Sequence, residues 1–168
     1  KKMAPELEFE VQQVQAVDFQ ERHISSTQIR KALSVGNIKE ANEMLGYTYS
    51  VSGEVVHGKK IGRTIGYPTA NIAVNSMKFL PKKGAYIVDV FVKKQHLKGM
   101  LSIGTNPTVD GKLVSVEVYI LNFNDDLYGE EISVNFREFL HDEIKFENLE
   151  KLIERLDEDK KLTENFQF

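Results

Sequence analysis

"VSVEVYIL" runs from Val114 to Leu121 and alternates without a break. Side chains of an extended chain repeat every second residue, so Val114, Val116, Val118 and Ile120 share one face while Ser115, Glu117, Tyr119 and Leu121 share the other. The aliphatic face and the β-branched residues predict a strand with one side buried. "GAYIVDVFV", Gly84 to Val92, repeats the pattern with Tyr86, Val88, Val90 and Val92 on one face. Runs of the same texture are "YSVSGEVV" (Tyr49–Val56), "LKGMLSIG" (Leu97–Gly104) and "EISVNFREFL" (Glu131–Leu140), with "TANIAV" (Thr69–Val74) as a sixth. Glycine, asparagine and proline punctuate them. The reading is mainly β, with the aliphatic faces meeting inside a small antiparallel barrel or sandwich.

The flanks differ in period. Phe146, Leu149, Leu152, Ile153 and Leu156 recur at helical spacing, with Glu147/Lys151 and Asp157/Lys161 as i,i+4 pairs, so a C-terminal amphipathic helix is expected against the barrel. Ahead of Tyr47, Ser25 and Gln28 stand in capping-box register, and Gly36 marks a stop. Asn37 and Glu40 repeat the start signal, and Gly46 the stop. Two short helices are expected there, after one short strand in "LEFEVQQVQAV" (Leu7–Val17). Alone, residues 1–46 are too few to bury a core, which divides the chain into 1–46 and a β-rich 47–168.

"GKKIGRTIGYPTAN", Gly58 to Asn71, is the stretch most suggestive of chemistry. Gly58, Gly62 and Gly66 let a ligand approach the backbone, and Pro68 stiffens the chain that follows. Arg63 is suited to phosphate oxygens. Thr69 and Asn71, placed i,i+2, turn two hard oxygens toward one ligand and suit Mg²⁺. The same glycines are also what a flexible hairpin connection would contain. The pattern is neither GxxxxGK[ST] nor GxGxxG. Glu117, mid-strand, reads from its position as an ordinary strand glutamate at a rim or in a salt bridge. Beside a phosphate loop, the same carboxylate would serve as a general base.

Composition narrows the field. With 168 residues, 41% of them hydrophobic, the chain can bury a real core. A net charge of −3 and a pI near 5.9 supply no broad positive field, which disfavours nucleic acid and anionic membranes as partners. The absence of cysteine removes disulfides and thiolate chemistry, and His23, His57, His96 and His141 have no metal-ligand spacing. No apolar run approaches the 18 or so residues of a membrane span, and no secretory signal is read, which makes the cytoplasm the expected compartment.

"GYPTAN" (Gly66–Asn71), an upstream HGxxxGR (His57–Arg63) and a downstream "VEVYILNF" (Val116–Phe123) with "DLYG" (Asp126–Gly129) occur together and in order. In this the chain, from about Tyr47 to its end, resembles riboflavin kinase. "ISSTQIR", Ile24 to Arg30, resembles the closing part of the nucleotidyltransferase domain that precedes this kinase in bacterial bifunctional FAD synthetases. The resemblance implies a six-stranded Greek-key barrel with a C-terminal helix, 1–46 being a nucleotidyltransferase remnant with linker helices. It implies ATP and riboflavin as substrates, FMN as product and Mg²⁺ held by Thr69 and Asn71. Gly58 to Gly66 with Arg63 then match the nucleotide-covering flap, and Glu117 the catalytic base. The HxGH-type signature of adenylyl transfer is missing from these residues, so FAD synthesis is not expected of them. Where the family usually has an arginine before the last helix, this chain has His141 in "FLHDE", which makes the basic character there depend on pH. Two other readings stand beside the kinase: a catalytically silent flavin- or nucleotide-binding barrel that docks a missing domain, and an oligonucleotide-binding barrel, which the acidic pI disfavours.

Overall fold

The computed structural model describes residues 18–19, 22–58, 60–108 and 111–167, together with Glu10 and Gln12. The strand expected within Leu7–Val17 otherwise lies outside the described residues. A two-residue ladder of β1 (Asp18–Phe19) and β2 (Arg22–His23) leads into α1 (Ser26–Ser34) and α2 (Ile38–Leu45). Their boundaries follow from the capping residues. The Ser25 side chain accepts from the Gln28 N–H, the Asn37 side chain accepts from the Glu40 N–H, and Gly46 closes α2 with φ +73°.

Six strands follow: β3 (Ser50–Val56), β4 (Thr69–Val74), β5 (Gly84–Val92), β6 (Gln95–Thr108), β7 (Gly111–Ile120) and β8 (Glu131–His141). They close into an antiparallel barrel in the order β3-β4-β7-β6-β5-β8, with β8 returning to β3. Within it β5, β6 and β7 form a meander and β8 comes back beside β5, which is a Greek key. Tyr86, Val88 and Val90 of β5 and Val118 of β7 are fully buried at the centre, with Val116, Ile120, Val134 and Phe136 around them.

Val114 is the exception to the expected face, at 49% exposed. The β5–β6 pairing stops at Gly84↔Ile103 and the β4–β7 pairing at Asn71↔Glu117, whereas β6 and β7 stay paired as far as Thr108↔Gly111. Val114, opposite Thr105, therefore sits on a two-stranded ribbon projecting past the closed part of the barrel.

The helix pair is not separate from the barrel. Leu33, Ile38, Ala41 and Met44 are buried in the same core as the strands. Asn42 fastens the pair: its side-chain nitrogen donates to the Phe136 carbonyl at 3.0 Å, and its oxygen accepts from the Tyr49 N–H at 2.7 Å. At the other end of the chain, α4 (Leu149–Asn165) lies against β6 on the outside of the barrel, N-capped by Asn148. Its ion pairs differ from those expected: Lys151 meets Glu154 at 2.7 Å, Arg155 meets Glu158 and Asp159, and Asp157 accepts the Tyr67 hydroxyl. Three of those carboxylates lie one turn C-terminal to their basic partner, and the fourth is drawn onto the barrel.

Candidate active site

The described residues between β3 and β4 include regular structure. A one-turn helix, α3 (Ile61–Thr64), interrupts the glycine-rich stretch, and the Gly62 carbonyl accepts from the Tyr67 N–H at 2.8 Å. This return bend delivers Pro68 and Thr69 to the rim of the barrel, where β4 begins. Arg63, Pro68, Thr69 and Ala70 line one side of a cleft of about 390 Å³. Val55, Val118 and Ile120 form its floor, and the loop from Phe123 to Tyr128 forms the far wall.

β4 pairs with β7 so that Thr69 faces Tyr119 and Asn71 faces Glu117. The Thr69 hydroxyl donates to Glu117 Oε2 at 3.1 Å, a contact between residues 48 apart in the chain. Asn71 stands beside Glu117 in the ladder, and its carboxamide lies over the α-carbon of Gly58. The structure thus brings Thr69, Asn71 and Glu117 together, with Thr69 also bordering the cleft. Arg63 and Pro68 reach the cleft but are exposed, and Gly66 is an exposed turn residue with φ +84°.

The loop forming the far wall escaped the residue-by-residue reading. Its signals are the Asp126 side chain, which accepts from the Tyr128 N–H at 3.1 Å, and Gly129, with φ +79°. Tyr128 packs against His57 with ring centroids 3.9 Å apart, and the Lys60 ammonium lies 5.6 Å from its ring centre. Asp125 and Asp126 line the same cleft as Arg63, leaving it mixed in charge rather than uniformly positive. His141 is engaged with α4: its Nε2 lies 2.9 Å from Asp159 Oδ2, and its Nδ1 lies 2.8 Å from the Asp142 carbonyl oxygen. Among the described residues, no three histidine or acidic side chains cluster as a metal site would need.

A closed Greek-key barrel that sets a hydroxyl, a carboxamide and a carboxylate beside a cleft defines a compact ligand-handling domain. The chain belongs to the flavokinase (riboflavin kinase) family, which its residues 45–167 match. It is 47% identical over 144 residues to a bifunctional riboflavin kinase/FMN adenylyltransferase of Listeria monocytogenes, covering 85% of this chain and 46% of that protein. The protein of the same name from Bacillus subtilis is 37% identical over 150 residues, covering 88% of this chain and 48% of the relative. The Escherichia coli K12 protein is 42% identical over 130 residues, with 77% and 41% covered. The chain thus spans less than half the length of these curated relatives. A crystal structure of a macrolide-efflux protein from Streptococcus pneumoniae superposes with a TM-score of 0.85 at 41% identity, over 92% of this chain and 51% of that one. Among the described residues, no helix is long and apolar enough to cross a membrane.

Proposed function

We propose that this chain transfers the γ-phosphate of ATP to the 5′-hydroxyl of riboflavin's ribityl chain, giving FMN and ADP. The observation that carries the reading is the 3.1 Å contact of Glu117 with Thr69, a residue that lines the cleft. It sets a proton acceptor beside the residue that borders the place where phosphates would lie. Family membership over residues 45–167 supports the choice of substrates.

Each candidate residue then has a role. The cleft takes the nucleotide, with Gly58, Gly62, Gly66 and Pro68 shaping the flap above it and Arg63 meeting phosphate oxygens. Thr69 spends its proton on Glu117, which leaves its oxygen lone pairs available on the cleft side. Mg²⁺ fits this donor set: it needs only one or two protein oxygens beside water and phosphate, and Thr69 Oγ1 and the Asn71 carboxamide are hard, neutral donors on adjacent same-face positions of β4. Bound there, it would neutralise phosphate charge. Glu117 accepts the proton of the attacking hydroxyl as the O–P bond forms and ADP departs. Arg63 and nearby N–H groups stabilise the charge that develops on the transferred group.

The adenylyl-transfer half of the bifunctional relatives is not ascribed to this chain, and FMN rather than FAD is its end product. Residues 47–168 constitute the kinase module. Residues 1–46 are the end of a preceding nucleotidyltransferase domain, the natural partner, with its linker helices, and the compartment is the cytoplasm.

Incubation with riboflavin, ATP and Mg²⁺ followed by chromatography tests this, with Glu117→Gln in parallel. FMN without FAD is expected. Turnover in the variant should fall by about 10²–10⁴-fold, or roughly 3–5 kcal/mol in barrier, at an unchanged melting temperature. Riboflavin binding with no FMN formed would instead favour a silent binding barrel. Thr69→Ala should weaken Mg·ATP more than riboflavin, and equal losses would place the metal elsewhere.

A further inference from the structure

We infer that Tyr67 is a positioning residue, whose hydroxyl ties α4 to the strand carrying Thr69 so that the helix helps set the transfer geometry. The inference rests on the phosphotransfer reading above. Tyr67 immediately precedes Pro68 and is held at three levels. Its backbone N–H is bonded to the Gly62 carbonyl at 2.8 Å, and its own carbonyl presses so closely on Gly62 that a β-carbon there would lie 2.1 Å from it. The ring is 7% exposed and packs edge-on against Tyr119 with centroids 5.1 Å apart, in a small cluster with Met100, Leu121 and Leu156 of α4. The hydroxyl donates to Asp157 Oδ1 of α4.

Two steps along one chain from Tyr67 stands Thr69, and two steps along the other from Tyr119 stands Glu117. Each packed tyrosine therefore stands two residues from a member of the hydroxyl–carboxylate contact, and Thr69 is itself the ladder partner of Tyr119. Burial, and then the neighbouring Asp157 carboxylate, push the Tyr67 hydroxyl far above the ordinary tyrosine range, so it remains a proton donor. The helix has anchors elsewhere. His141 meets Asp159, and the Lys98 ammonium donates to the carbonyls of Glu164 and Phe166 at 2.9 and 2.6 Å. Losing the Tyr67 bond should therefore leave α4 docked and shift only its alignment with β4.

The test uses Tyr67→Phe, Asp157→Ala, the double variant and Asp157→Asn. The last keeps an acceptor oxygen. With active wild-type protein, Tyr67→Phe and Asp157→Ala are each expected to lower kcat roughly tenfold, within the range that small misplacements produce. The KM for riboflavin should stay unchanged, the double variant should be no worse than either single one, and Asp157→Asn should recover most of the rate. Wild-type kinetics in Tyr67→Phe or in Asp157→Ala would overturn the inference, as would lowered melting temperatures without a kinetic change. Amide hydrogen exchange gives a readout independent of turnover: residues 67–71 should exchange faster in both single variants, while α2 stays as protected as before. If the wild type forms no FMN, the phosphotransfer reading fails on its own, and unchanged exchange at residues 67–71 would then overturn the tie.

Discussion

A β-carbon on Gly58 would stand 2.2 Å from the amide nitrogen of Asn71, whereas one on Gly62 would stand 2.1 Å from the backbone oxygen of Tyr67. Gly66 has nothing within 4 Å but carries φ +84°. The consequences differ because a side chain can swing aside and a backbone carbonyl cannot. Gly58→Ala should leave stability nearly unchanged while displacing the Asn71 carboxamide, which would appear as weaker Mg·ATP binding in calorimetry. Gly62→Ala should cost about 1–3 kcal/mol in chemical denaturation, as overpacking and backbone strain generally do. In the sequence these glycines read as room for a ligand. Two of them are in fact filled by this chain's own atoms, which arrive only once β4 has folded back over α3. Glu117 reads from its position as an ordinary strand glutamate, and its hydroxyl partner, 48 residues away, is not legible.

The hairpin joining β5 to β6 shows what an element tolerates for the sake of a neighbour. Val92 pairs with Gln95, and the two residues between them, Lys93 and Lys94, have φ +47° and +64°. Such a turn favours Asn-Gly, and a left-handed lysine is strained. Lys93 has a use, since its ammonium donates at 3.0 Å to the Asp126 carbonyl in the wall of the cleft. Lys94 has no comparable bond. Lys94→Gly should therefore raise stability by about 0.5–1 kcal/mol, read as a higher denaturation midpoint with turnover intact. Alternation and capping residues made the six strands and the helices α1, α2 and α4 legible. The one-turn α3 was not, because Gly62 lowers its intrinsic helicity and a backbone bond from Tyr67, five residues on, closes the bend after it. The outward drift of Val114 was equally hidden, because alternation marks a face and not where neighbouring strands stop.

The helix pair and the barrel share one hydrophobic core, although the sequence changes texture at Tyr47. Leu33 is 1% exposed and Ile38 2%, both in the core shared with the strands, and Asn42 adds its two bonds to the backbone of Phe136 and Tyr49. Cutting the chain back to start at Gly46 should therefore cost about 2–5 kcal/mol, from apolar surface returned to water and the loss of those bonds. A denaturation midpoint equal to that of the full chain would show the two parts to be independent. Which strands pair is the part of the architecture that periodicity does not carry: β4 lies beside β7 only because the meander of β5 to β7 brings the latter round. Closure has a further effect on association. Each strand of the closed part has a neighbour on both sides, so no row of free N–H and C=O groups is left there for a foreign chain to extend. Among the described residues, the projecting β6–β7 ribbon offers a longer open edge for a partner recognised by strand addition than the two-residue β1–β2 ladder does.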